Sequence, residues 1–169
     1  VLAIDGHNGF AISIAISPDS QTLAIGELGG DAIIRLWDIE TGEMLHELEG
    51  HRDWINSLIF SPDGRYLYSA GQVGSLFRWD VETGAEIRRF EGHGVATVLT
   101  VAVHPDLPIA LSGGRDGSVF MWNLETGEGT ALTGHSSQVN DIEFSLSGTF
   151  AITASGDGVI MYRDMLSED

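Results

Sequence analysis

The stretch 92–133, GHGVATVLTVAVHPDLPIALSGGRDGSVFMWNLETGEGTALT, decides the fold. It opens on Gly92-His93, runs through an apolar segment at Val98–Val103, turns at His104-Pro105-Asp106-Leu107 and returns through Ile109–Ser112. A Gly-rich turn holding Asp116 leads to a third segment that ends on Trp122-Asn123, and Glu125-Thr126-Gly127 turns the chain again. Short apolar runs bounded by turn residues are the pattern of strands, and no segment shows a helical period. Pro presets φ for a turn, Asp and Gly tolerate the conformations after it, and the Gly of Glu-Thr-Gly supplies a left-handed residue in a hairpin loop.

The unit is repeated. Gly-His stands at Gly6-His7, Gly50-His51, Gly92-His93 and Gly134-His135, in steps of 44, 42 and 42 residues. Trp37-Asp38, Trp79-Asp80, Trp122-Asn123 and then Arg163-Asp164 keep the same beat. A period of ~40–45 residues opened by Gly-His and closed by Trp-Asp is a repeat signature. The first strands read Ala11–Ile16, Ile55–Phe60, Val98–Val103 and Val139–Phe144; the second Thr22–Gly26, Tyr66–Ala70, Ile109–Ser112 and Phe150–Ala154. A third strand ends at each Trp position, and a charged fourth, such as Ala85–Phe90, lies outermost. Four short antiparallel strands per repeat make one propeller blade.

On these motifs the chain resembles the WD-repeat family of β-propellers over essentially its whole length. The expected fold is all-β: one propeller segment, residues 1–169, of four four-stranded antiparallel blades, the last lacking its own outer strand. The repeats span 6–49, 50–91, 92–133 and 134–169, and residues 1–5 stand where the outer strand of a preceding or closing blade belongs.

The resemblance implies a buried tetrad in each blade, joining the Gly-His histidine, a strand-two hydroxyl, an Asp before strand three and the strand-three Trp. The third repeat has the full set, His93, Ser112, Asp116 and Trp122. The second has His51, Ser69 and Trp79, with Val73 in place of the Asp; the fourth has His135, Thr153 and Asp157, with Arg163 in place of the Trp. The first has His7, Asp31 and Trp37, with Ile25 at the hydroxyl position and a longer turn at Glu27–Gly30. His, Ser and Asp together also spell a nucleophile, base and orienter. A catalytic set does not recur in partial versions in every repeat, whereas a stabilising network can, so no catalytic residue is expected.

Composition narrows the partners. Net charge is −17, with 25 acids against eight bases, all arginine. That balance argues against nucleic acid and anionic membranes, which need a basic footprint. Cysteine is absent, so no thiolate site exists, which fits a cytoplasmic setting. His46 and His104 lack a second ligand at metal spacing, and no metal or cofactor is expected.

Strand order divides the turns between two faces. Asp19, Glu40, Asp63, Glu82, Asp106 and Glu125 fall on an acidic face with the Pro and Glu-Thr-Gly turns. Arg52, Trp54, Gln72, Arg115 and Gln138 fall on the Gly-His loop face, and are the candidate partner-binding residues. In proteins of the resembled family that second face commonly receives peptides and protein partners, and regular copies such as these resemble those of large bacterial WD-repeat proteins. The expected function is a non-catalytic protein–protein interaction scaffold or sensor module. The alternatives are a small-ligand or enzymatic propeller using the central channel, where only Ser13, Asn56, Ser57, Thr100 and Asn140 are polar, and a self-assembling structural repeat. Four blades leave apolar ends to cover, by further blades of a parent chain, by a second copy, or by a strained four-blade ring.

Overall fold

The computed structural model describes residues 9–28 and 32–166, all of whose regular elements are strands. Blade 1 holds β1 (Phe10–Ile16), β2 (Thr22–Leu28), β3 (Ile34–Asp38) and β4 (Met44–Leu48). Blade 2 holds β5 (Ile55–Phe60), β6 (Tyr66–Gly71), β7 (Leu76–Asp80) and β8 (Glu86–Phe90). Blade 3 holds β9 (Val98–Val103), β10 (Ile109–Gly114), β11 (Val119–Asn123) and β12 (Gly129–Leu132), and blade 4 holds β13 (Val139–Phe144), β14 (Phe150–Ser155) and β15 (Ile160–Asp164). Each blade is a separate antiparallel meander in chain order. The second strands run one or two residues beyond their sequence-read ends, because pairing continues into the turn before strand three. Residues 1–5, His7 and Asp31 lie outside the described residues.

Turn chemistry explains the Trp-Asp beat. The carboxylates of Asp38 and Asp80 each accept from the backbone N–H and hydroxyl of the following Thr41 and Thr83, and Asn123 accepts from the N–H groups of Glu125 and Thr126. The dipeptide thus has two roles: the indole points into the blade, and its neighbour fastens the Glu-Thr-Gly turn. Gly42, Gly84 and Gly127 have φ of 73°, 69° and 82°, the left-handed conformation those turns require. At the Pro turns, Ser17 and Ser61 donate to Asp19 and Asp63 at 2.6 and 2.5 Å. These bonds hold both carboxyls below the ordinary range. In blade 3 the same place is taken by His104, which is buried. Its Nδ1 accepts the N–H groups of Asp106 and Leu107, which leaves the Nε2 proton to donate to the Gly148 carbonyl of blade 4 at 3.0 Å.

The core lies between blades rather than within them. Ala24, Ile34 and Leu36 of blade 1 pack on Ile55, Leu58, Phe60, Leu67 and Trp79 of blade 2. Tyr68, Ala70 and Leu76 pack on Val98, Val101, Ala110 and Trp122, and Ala102, Leu111 and Val119 pack on Val139, Ile142 and Ala151. Each innermost strand carries a register shift near its start. Such a bulge re-aims a side chain, and in blade 2 the bulged Asn56 donates across to the Val98 carbonyl of blade 3 at 2.9 Å.

Candidate functional site

Three blades contain a buried hydrogen-bond chain whose proton positions are set by donor counts. In blade 3 the Trp122 N–H donates to Ser112 Oγ at 2.8 Å, and Ser112 Oγ lies 2.7 Å from His93 Nε2. His93 Nδ1 lies 3.0 Å from Ser118 Oγ, which donates its single proton to the Asp116 carboxylate at 2.6 Å. A hydroxyl has one proton, so Ser118 accepts from Nδ1–H and Ser112 donates to Nε2. The tetrad expected from the sequence joins His93 to Asp116; here Ser118 stands between them, because the carboxylate turns back to hold its own loop. Burial pushes the His93 imidazole below its ordinary value, against the opposing charge of Asp116, which keeps the ring neutral as the chain of bonds requires.

Blade 2 builds the chain without a carboxylate. Trp79 donates to Ser69 Oγ at 2.8 Å, Ser69 lies 2.7 Å from His51 Nε2, and His51 Nδ1 lies 3.2 Å from Ser75 Oγ. Ser75 donates to the Gln72 carbonyl at 2.7 Å, so a backbone oxygen replaces the missing Asp. Burial pushes the His51 imidazole down to about 4, with Arg89 adding and Glu86 opposing. In blade 4 His135 lies 2.8 Å from Thr153 Oγ1 and 3.1 Å from the Asp157 carboxylate, which binds the ring directly. Arg163, at the Trp position, instead donates to the Thr133 carbonyl, and its buried Nε has no partner among the described residues.

Among its described residues blade 1 has no hydroxyl at the strand-two position and carries a charged cluster there. Ile25 fills the hydroxyl position and faces Arg35 across the ladder, where the other blades have Phe77, Phe120 and Met161. The buried Arg35 guanidinium bonds Glu27 at 2.5 Å and Glu47 at 2.9 Å. Sequence reading missed this cluster. Its signal was an arginine where the other repeats carry an apolar residue, together with Glu27 at the place of Gly71 and Gly114. Trp37 is buried on the same sheet.

The histidines and strand-two hydroxyls of these chains are buried, namely His51, Ser69, His93, Ser112, His135 and Thr153. Three of the five polar points of the innermost strands are engaged between blades. Ser13 donates to the Ile55 carbonyl at 2.7 Å, Asn56 to that of Val98, and Ser57 accepts the Val101 N–H. Among the described residues no cluster of three His, Asp or Glu could hold a metal ion, and no helix is long and apolar enough to cross a membrane.

The Gly-His loop face carries a cleft of about 370 Å³ between blades 2 and 3. Arg52, Gln72, Val73, Gly74, Arg89 and Glu91 are among its lining residues. Arg52 and Gln72 therefore meet in one cleft, while Trp54, Arg115 and Gln138 do not line it. Those three stand exposed on the same face, Gln138 donating to Asn140 at 2.9 Å. Arg89 is held by a two-pronged bond to Glu86 at 2.7 and 2.8 Å. Val73 sits in the cleft wall at φ 59°, a left-handed conformation that a β-branched residue adopts only under strain. The six acidic residues assigned to the opposite face are all exposed or half-buried.

The chain matches the family described as "WD domain, G-beta repeat" over residues 1–38, 42–80, 84–123 and 128–164. Apoptotic protease-activating factor 1 of Homo sapiens is 45% identical over 74 residues, 39% of this chain and 6% of that protein. The small ribosomal subunit protein RACK1y of Oryza sativa subsp. japonica is 40% identical over 67 residues, 40% of this chain and 19% of that protein. The probable serine/threonine-protein kinase PkwA of Thermomonospora curvata is 45% identical over 47 residues, 28% of this chain and 6% of that protein. The matched stretches thus span 6% to 19% of these curated relatives. The crystal structure of the computationally designed Ika4 protein superposes with a TM-score of 0.84 at 26% identity, covering 96% of this chain and 95% of that one. With four matched repeats, three Trp-centred blades and an all-β meander in each, this chain belongs to the WD-repeat family of β-propellers.

Proposed function

We propose that the chain is a non-catalytic protein-interaction module, working in the cytoplasm, whose protein or peptide partner seats on the Gly-His loop face. The observation that carries this reading is the cleft between blades 2 and 3, where an exposed Arg52, Gln72 and a strained Val73 converge. Strained backbone gathers at ligand sites, because a well-packed scaffold is needed to hold it. Trp and Arg are the side chains enriched at interface hot spots, and Trp54, Arg52 and Arg115 stand exposed on this one face. The groups that an enzyme would use are bonded to one another within their own blades, which favours recognition over chemistry.

Photo-crosslinking tests the reading. A photoreactive residue placed at Arg52 or Gln72 should trap a partner from the native host's extract, and an excess of the unmodified chain should compete it away. The same residue at Asp63 or Glu125, on the acidic face, should trap none. Equal trapping at both faces, or trapping at the acidic face alone, would overturn the assignment.

A further inference from the structure

The eight bases of this chain are all arginines, and six of them are paired within the chain. Arg35 is held by Glu27 and Glu47, Arg65 by Asp80 and Arg89 by Glu86. Arg78, Arg88 and Arg163 donate to the carbonyls of Leu124, Thr126 and Thr133. The guanidinium groups of Arg52 and Arg115 bond no described residue, and both stand exposed on the Gly-His loop face. The carboxylates next to them in sequence are bonded elsewhere, Asp53 to the Trp54 N–H and Asp116 to Ser118. Between the two arginines the loop backbones touch in succession. The Trp54 carbonyl accepts the Gln72 N–H at 3.2 Å, Gly74 lies too close to the Gly94 carbonyl to carry a Cβ, and the Thr97 carbonyl accepts the Arg115 N–H at 2.8 Å. A continuous strip therefore runs from 52–54 through 72–74 and 94–97 to Arg115. Trp54, Val73 and Val95 stand on it, 43%, 60% and 88% exposed. Blades 2 and 3 each have a neighbouring blade on both sides, so this exposure does not arise at either end of the chain. Clustered apolar exposure of this kind marks interaction surfaces.

We propose that this strip binds an acidic peptide segment of a partner protein, in which an apolar side chain seated among Trp54, Val73 and Val95 is flanked by Asp or Glu side chains that meet Arg52 and Arg115. This rests on the loop-face reading above and names the chemistry of its partner. Charge decides the class. A surface of net charge −17 repels an acidic segment, and like charges brought face to face cost binding. Such a segment gains where a guanidinium has no internal partner, and the two that qualify lie at the two ends of one apolar strip. A basic segment finds carboxylates over much of the molecule and nothing that places it here. The other arginine of the cleft, Arg89, is already taken by two bonds to Glu86, with Glu91 acting on it as well. The field of distant acids fades over about 8 Å at physiological salt, so direct contact with the guanidinium groups governs binding at the strip. Arginine meets a carboxylate through two parallel bonds, which fixes the place of the acid as well as its sign. The cleft of about 370 Å³ that Arg52 and Val73 line is near the lower end of the ~300–1,000 Å³ range of ligand pockets, a size for the side chains of a short segment.

The test is a selection of short random peptides on the immobilised 169-residue chain, the peptides displayed through a fused C-terminus so that none offers a terminal carboxylate. The enriched peptides should carry Asp or Glu on both sides of an aliphatic or aromatic residue. The double variant Arg52→Glu, Arg115→Glu should enrich Lys or Arg at those places instead, and Val95→Asp should lose the preference for the apolar centre. All three side chains are exposed, so these variants should keep the parent's circular dichroism. A synthetic copy of an enriched peptide, titrated by calorimetry, should bind Arg52→Gln and Arg115→Gln about tenfold more weakly than the parent. Arg65→Gln, which removes a cation outside the strip, should leave its affinity unchanged. Enrichment of basic peptides, enrichment of none, or the same acidic peptides on the double variant would each overturn the proposal. Such a failure with a partner still trapped at Gln72 leaves the loop-face reading standing, whereas trapping at the acidic face alone removes both.

Discussion

Replacing Ser112 with alanine removes one oxygen from the middle of the blade 3 chain and leaves two buried groups without partners. The Trp122 N–H loses its acceptor at 2.8 Å, and His93 Nε2 loses its donor at 2.7 Å. Ser112 and Trp122 are fully buried, so water cannot substitute. A change of His93 tautomer does not help, because Nδ1 would then face Ser118, whose only proton is committed to Asp116. Each orphaned group costs about 1–3 kcal/mol, giving about 2–6 kcal/mol for the substitution. Against a total stability of roughly 5–15 kcal/mol, that is a large fraction. Urea unfolding followed by circular dichroism and tryptophan fluorescence measures it. Blade 4 supplies an internal scale. The Thr153 hydroxyl hydrogen-bonds His135 and, because Arg163 brings no indole N–H, has no Trp donor, so Thr153→Val orphans one group and should cost about 1–3 kcal/mol. A second scale is Ser112→Ala in a Trp122→Phe background, where the indole donor is already gone and the serine should matter about half as much. A Ser112→Ala loss below about 1 kcal/mol, or one no larger than that of Thr153→Val, would refute the reading of the chain as a structural fastener.

The same geometry sets three further outcomes. Val73→Asn should raise stability by about 1 kcal/mol in the same unfolding assay, because Asn tolerates the left-handed region and Val73 is an exposed side chain with little packing to lose. Arg163→Trp should also stabilise, by about 1–2 kcal/mol, since it removes a buried guanidinium nitrogen without a partner and gives Thr153 Oγ1 an indole donor like those of Trp79 and Trp122. Stability should fall as pH drops through the histidine range. Burial holds the folded His51 near 4 against an ordinary 6.5, so the unfolded chain binds the proton first; the contribution is complete above 6.5 and lost towards 4, by about 3 kcal/mol at most. His93 adds in the same direction. Urea midpoints for the parent and His51→Gln across this window check it, the variant showing the shallower slope.

The blade count, strand order and turn chemistry were readable because each rests on local residue types repeated at a fixed period. Gly84 must be left-handed whatever surrounds it, and Asp80 caps its turn from three residues away. The histidine–hydroxyl–indole pairings were readable through the family resemblance, since they span strands that the period places side by side. What escaped was chemistry decided by which atom is nearer in space. Ser118 intervenes between His93 and Asp116, and the Gln72 carbonyl completes blade 2, because turn conformation sets those distances and a residue pattern does not. The Glu27–Arg35–Glu47 cluster escaped because it breaks the repeat, and a search for the repeat treats it as an absence. His104 escaped in another way: alone in a turn it has no sequence partner, yet in the fold it ties blade 3 to blade 4.

The way these chains end also separates stability from recognition. The inner members, histidine and hydroxyl, are alike in blades 2, 3 and 4, and their distances differ by no more than 0.1 Å. The terminal acceptor varies: a serine backed by a backbone carbonyl in blade 2, a serine backed by a carboxylate in blade 3, a carboxylate alone in blade 4. All three acceptors belong to the turn before strand three, on the Gly-His loop face. A fastener that accepts any of three endings places little demand on the residue at that turn. Blade 2 exploits this, because once the Gln72 carbonyl serves as acceptor, position 73 need not be Asp and can present an exposed valine to the cleft beside Arg52. Variation at the loop face therefore carries a small penalty for the scaffold, whereas variation at Ser69, Ser112 or Thr153 carries a large one.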